Sequence, residues 1–165
     1  MPFQNPFYGG LRILKHTTPF SPARNAMRKL KMEDIYQKIA EDRKIGKIEF
    51  FIKERKADHV ISSMPIQEGI LNPFGTVQAG AMLWLADVTA TVLALQGIKL
   101  GPNGKGFPLA INLNSSLLGN QREGEIKAEA RFVRNGKRIA VIRTRVTGSQ
   151  GRLLAEVTTT HIPAS

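Results

Sequence analysis

The stretch Gly75-Thr-Val-Gln-Ala-Gly-Ala-Met-Leu-Trp-Leu-Ala-Asp87-Val-Thr-Ala-Thr91-Val-Leu-Ala-Leu-Gln-Gly97 decides how this chain is read. From Thr76 to Gln96 it is apolar nearly all round. A membrane span needs about twenty apolar residues. Asp87 stands at the middle of this run, with Thr89 and Thr91 close by. A charge there is expensive in lipid, and a single strand of this length would be unusual. The run therefore predicts a central helix wrapped by sheet and buried on every side. Thr76 is the candidate N-cap and Gly97 the candidate stop.

Asp87 is the only acidic residue between Glu68 and Glu123. A carboxylate in an apolar setting is costly unless it is paired, hydrogen-bonded or protonated. General bases and nucleophiles are found in such places. The plainer alternative is a buried carboxylate that caps or bridges a subunit contact.

Upstream, residues 32–44 have Ile35 and Ile39 on one face and acids in the first turn, the pattern of a short amphipathic helix. Lys47–Arg55 and His59–Ile66 read as strands, and Glu68–Gly75 as a loop. Downstream, Phe107–Leu118, Glu125–Arg134, Lys137–Thr147 and Arg152–Ile162 read as four more strands in an antiparallel meander. Asn135-Gly136 signals a two-residue hairpin. The predicted class is α+β, with a curved antiparallel sheet covering one long helix.

The bulk numbers fit this reading. The chain has 165 residues, 42% apolar and 22% charged, enough for one domain with a core. It has no cysteine and only His16, His59 and His161, far apart in sequence, so neither a disulfide nor a zinc site is expected. The formal charge is +11. Residues 1–31 hold six basic side chains and no acid; residues 32–165 hold 18 basic and 13 acidic ones, a net +5. We read 1–31 as a basic, flexible or loosely docked extension, not a secretory signal, and 32–165 as one domain. Positive charge attracts anions. With few aromatics among the basic residues, nucleic acid is not the expected partner. The expected location is cytoplasmic, with no membrane span.

The segment Asn72-Pro-Phe-Gly75-Thr-Val-Gln78-Ala79-Gly80, followed by Asp87, resembles the signature of the PaaI-type hotdog-fold acyl-coenzyme A thioesterases. Ile111–Asn114 and Arg122–Glu125 also resemble segments of that family, and the likeness spans roughly 47–162. The resemblance implies a hotdog fold and hydrolysis of acyl-coenzyme A thioesters. It implies no metal or redox cofactor, with coenzyme A entering as part of the substrate. It also implies a homodimer or homotetramer with interfacial sites.

Carried over by position, Asp87 matches the catalytic acid, acting as general base or nucleophile. Asn72 matches a polar residue that places the water or the thioester, and Ala79 a backbone N–H donor to the thioester carbonyl, with Gly80 beside it. Gln78 stands where the family has histidine, Ala79 where it has glycine, and Ala110 where some members have serine. Thr91 matches a water-binding hydroxyl. These departures motivate the alternative of a catalytically weak module that binds an acyl-coenzyme A or another hydrophobic ligand.

Plainer readings stand beside the functional ones. Asn72 also suits turn chemistry, Thr91 back-bonding to its helix, and Gln78 a helix-start contact. Met82 and Trp84 suit core or interface packing. Arg134, Lys137 and Arg138 flank a turn and suit either coenzyme A phosphates or a solvated surface. Asn114, Ser115 and Ser116 either line a pocket or face the helix. His59 and His161 read as strand residues without chemistry.

Overall fold

The computed structural model describes residues 46–165. The extension 1–31 and the helix expected at 32–44 lie outside the described residues. The strands are Phe51–Arg55 (β1), His59–Pro65 (β2), Pro108–Leu117 (β3), Glu125–Asn135 (β4), Ala140–Thr147 (β5) and Leu153–Pro163 (β6), with one helix, Ala79–Ala94 (α1), between β2 and β3. They form one antiparallel sheet in the order β1-β2-β4-β5-β6-β3. The α+β class expected from the sequence is what the chain adopts.

The alternation in β4 and its neighbours sets the inward face. Val60, Ala130, Thr144, Val157 and Ser115 align across the strands, and so do Ser62, Ala128, Val146, Ala155 and Leu117. Onto this face α1 lays its own buried stripe. Met82, Leu85 and Ala86 pack with Met64, Ile126, Val146 and Val157, and Ala90 and Leu93 pack with Val60, Ala130 and Ile142. Small inward residues such as Ala128 and Ala130 let the helix lie close to the sheet.

The structure corrects several expectations. Strand β1 starts at Phe51, not Lys47. Only β4, β5 and β6 form a meander; β3 crosses to the far edge and pairs with β6. The Asn135-Gly136 hairpin is wider than two residues: Asn135 pairs with Ala140, and the Gly136 N–H donates to the Ile139 carbonyl at 3.1 Å. Glycine is needed there because a Cβ would sit 2.8 Å from that same oxygen. The N-cap of α1 is Gln78, not Thr76. Gly97 does lie just past the helix end, with a φ of +74° that favours glycine.

The helix is also not buried on every side, because the sheet wraps only one of its faces. Gly80 and Trp84 are exposed, and Leu83, Asp87, Val88 and Thr91 are half-buried. Trp84 meets Phe50 edge-on at 6.0 Å, whereas Met82 is core.

Candidate active site

The loop before α1 is held by its own polar groups. The Asn72 carboxamide oxygen accepts from the N–H groups of Phe74 (3.0 Å) and Thr76 (3.1 Å), and its Nδ2 donates to Thr76 Oγ1 at 2.7 Å. The turn role is therefore real. Asn120, which local sequence reading passes over, locks the same loop by donating to Thr76 Oγ1 and to the Val77 carbonyl. Gln78 donates its side-chain N–H to the Leu71 carbonyl at 3.0 Å and its backbone N–H to the Ile70 carbonyl at 2.8 Å. It acts as a clamp between loop and helix.

These contacts present the start of α1 to the outside. The N–H groups of Ala81 and Met82 turn back onto the Gln78 carbonyl. Those of Ala79 and Gly80 have no backbone acceptor among the described residues. A Cβ added at Gly80 would meet nothing within 4 Å, so the helix start is open beside Gly80. Unpaired N–H groups at the positive end of a helix can receive developing negative charge without reorganising.

Asp87 lies two turns on, at the middle of the half-buried face. Thr89 fixes which way that face points. Its hydroxyl donates to the Leu85 carbonyl at 2.5 Å, so the Ser62 hydroxyl on β2 must donate to it, also at 2.5 Å. Asp87 stands about 160° round the helix from Thr89, on the flank that also carries Ala94, which lines a cavity with His161 of β6, and its charge is felt by that histidine. One of its oxygens, Oδ1, is buried with no hydrogen-bond partner among the described residues. Thr91 shares this face; the residue that bonds back to its own helix is Thr89, not Thr91.

The structure gathers Asn72, Gln78, Ala79 and Gly80 at one place and Asp87 with Thr91 at another. Eight residues of helix, about 12 Å of rise, separate Ala79 from Asp87. Arg134, Lys137 and Arg138 lie farther off, exposed at the opposite end. Lys137 and Arg138 line a small cavity of about 70 Å³ with Ala94, at the end of α1. Near the helix start the basic groups are instead Arg122, which donates to the Phe74 carbonyl at 2.6 Å, and Arg152, which donates to the Asn120 carbonyl. Both line a cleft of about 620 Å³ with Thr76 and Gln150. Sequence reading assigned neither of them a binding role, since the β3–β4 and β5–β6 connections meet only in the fold.

The register settles the faces of β3. Ser115 shares the inward row with Val157, while Asn114 and Ser116 alternate to the other face. His59 joins a surface network, 2.9 Å from Asp58 and 3.6 Å from Glu54. His161 is deeply buried on β6, and its Nε2 lies 2.9 Å from Thr159 Oγ1. Among the described residues no three His, Asp or Glu side chains gather as a metal cluster would require. No helix among them is long and apolar enough to cross a membrane.

Solved structures share this fold. A mutant of a thioesterase enzyme from Staphylococcus aureus is 21% identical, with a TM-score of 0.66, covering 70% of this chain and 93% of that one. The chain has the hotdog fold. A Haemophilus influenzae thioesterase is 18% identical, with a TM-score of 0.65, covering 82% and 92% of the two chains. A Streptococcus pneumoniae protein described as a hypothetical thioesterase, with coenzyme A, is 16% identical, with a TM-score of 0.60, covering 70% and 88%. No protein-family model and no curated protein matches the chain. In this hotdog domain, then, the open start of α1 and the half-buried Asp87 both have chemistry to offer.

Proposed function

We propose that this protein hydrolyses acyl-coenzyme A thioesters at a site shared by two copies of the chain. The observation that carries the proposal is Asp87 on the half-buried face of the central helix, with one carboxylate oxygen buried and unpartnered among the described residues. The fold is shared with proteins described as thioesterases, one of them with coenzyme A, and that supports the reading. The thioester carbonyl lies against the N–H of Ala79 or Gly80, where negative charge forms on its oxygen in the transition state. Asp87 takes a proton from the attacking water as general base, or attacks the carbonyl itself to give a mixed anhydride that water then opens. In both routes the thiol of coenzyme A leaves with one proton and the acyl group leaves as a carboxylate.

A single chain holds these parts too far apart, which argues for a second copy. Strand β3 supplies the place for it. It is a sheet edge, and Leu109, Ile111, Leu113 and Leu117 on it are 47%, 57%, 41% and 49% exposed. An apolar, unpaired edge of this length is an aggregation hazard unless something covers it. A homodimer joined along β3, with tetramers built from it, brings Asp87 of one subunit to the partner subunit's Ala79. Asn72 shapes the donor loop, and Thr91 steadies the water. The phosphates of coenzyme A fall to Arg134, Lys137 and Arg138 or to Arg122 and Arg152, whichever end the second copy brings near.

Free thiol release from a panel of acyl-coenzyme A esters tests this. Wild type should turn over, and Asp87→Asn and Asp87→Ala should each lose at least about a hundredfold in kcat, the range for a catalytic proton acceptor. Turnover surviving both substitutions removes Asp87 from the mechanism. Binding without turnover in wild type favours a non-hydrolytic acyl-coenzyme A module instead. The engagement of Gln78 with Leu71 is the observation on that side, since a glutamine so held moves no proton.

A further inference from the structure

On the inward rows of β2, β4, β5 and β6, His161 is the one ionisable side chain, and it lies on the side of α1 that Asp87 faces. The register sets it between Ala110 on β3 and Ala140 on β5, two small neighbours that leave the ring room to turn. It lines the same small cavity as Ala94, which is on the Asp87 and Thr91 face of the helix. Its Nδ1 is buried and has no hydrogen-bond partner among the described residues, and the same holds for Asp87 Oδ1. Buried polar atoms rarely go unpaired, so two such atoms on facing elements call for a common explanation.

Their chemistry is complementary. Thr159 lies beside Nε2 at 2.9 Å. When its hydroxyl donates to that nitrogen, the ring proton sits on Nδ1. Nδ1 is then a donor without a hydrogen bond of normal geometry, although the Pro108 carbonyl also bears on the ring, and Asp87 Oδ1 is an acceptor without a donor.

We infer that His161 is a positioning residue for Asp87: its neutral ring, oriented by Thr159, turns the Nδ1–H to the buried carboxylate oxygen and leaves the other oxygen for the reacting water. The inference rests on the hydrolase reading for its kinetic consequence, but the pairing itself does not. The charged groups around the ring are few. Asp87 faces it from α1, Lys137 and Arg138 line its cavity from the β4–β5 turn, and β3 offers only Ala110 and Pro108. Burial holds the imidazole below its usual proton affinity, against a smaller upward pull from the Asp87 charge, consistent with a neutral ring that feels that carboxylate.

Two substitutions separate positioning from packing. Asparagine places its Nδ2 where His161 Nδ1 was, whereas glutamine reaches the Nε2 position and keeps only the Thr159 contact. His161→Gln should lower kcat about ten- to a hundredfold, as expected for one lost hydrogen bond to a charged group. KM should hold, and His161→Asn should restore most of kcat. Equal loss in both variants, or no loss in either, overturns the inference while leaving the Asp87 result standing. Side-chain nitrogen NMR gives a readout that needs no turnover. In wild type, His161 should carry its proton on Nδ1, and Asp87→Asn should shift that resonance. A proton on Nε2, or a resonance indifferent to Asp87→Asn, refutes the pairing even if the protein hydrolyses nothing or a His161 variant fails to fold.

Discussion

At the residue scale, the polar contents of the core divide into groups that satisfy one another and groups that wait for something. Ser62 and Thr89 are the satisfied kind: both fully buried, linked hydroxyl to hydroxyl, with the Leu85 carbonyl closing the chain. Thr89→Val keeps the shape and strands the Ser62 hydroxyl, and we expect it to cost about 1–3 kcal/mol in urea unfolding. Adding Ser62→Ala should recover much of that loss, because no buried donor is then left unpaired; a double variant as unstable as the single would mean packing, not hydrogen bonding, sets the cost. His161 is the waiting kind, and its burial has a consequence for stability. The unfolded chain takes up its proton near the ordinary value of 6.5, and the folded chain only at lower pH. The unfolded state thus binds more protons between those two values. Stability from this group is fully present above the ordinary value and is lost as pH falls through the folded one. Wild type minus His161→Asn, followed as melting temperature against pH, should show a difference that shrinks on the acid side. A difference independent of pH would mean the ring is not held neutral.

At the element scale, the central helix was legible and its neighbours only partly so. A lone acid in an apolar run long enough for five turns left few alternatives, and the helix formed there. What the run could not say is that the sheet of the described residues covers only one of its faces, because all-round apolarity does not distinguish a sheet from a second subunit. The place of β3 was not legible either. Alternation marks a strand and its faces but not which strand lies beside it, and β3 pairs with β6, across the whole of β4 and β5, through contacts set by the fold. For the same reason His161 looked inert in the sequence: only the register with Ala110 and Ala140 brings it under the helix. Gln78 and Asn72 were ambiguous in the sequence because the same amides serve turns and ligands, and the structure shows the turn contacts they do make. Gly80 offers the test of this element. Its Cβ direction is empty, and alanine is the better helix former, so Gly80→Ala should leave stability unchanged or raise it by up to about 1 kcal/mol. In the proposed site that empty space is where the thioester would pass. KM for acyl-coenzyme A should therefore rise while the melting temperature does not fall. A variant that is both more stable and fully active would place the substrate elsewhere.

For the whole molecule, the separation of Ala79 from Asp87 along one helix becomes a prediction about mixed dimers. Ala79→Pro removes the N–H donor at the first helical position, where proline fits the helix, so the fold should survive and catalysis should drop. Asp87→Asn removes the acid. Each variant alone is expected to be nearly inactive. If both groups came from the same chain, unfolding and refolding the two together would restore nothing. If each site takes its acid from one subunit and its donor from the other, a dimer with one chain of each kind holds one intact site and one doubly damaged site. Random pairing then returns about a quarter of the wild-type activity, since half the dimers are mixed and each has one working site. Size-exclusion chromatography with light scattering should show the mixture at the wild-type mass. Ile111→Lys, which sets a charge on the exposed β3 edge, should move both the wild type and the mixture toward monomer and abolish the recovery. Ile111→Lys chains with Asp87 and Ala79 intact that stay fully active as monomers would mean that Asp87 and the helix start never needed a second chain.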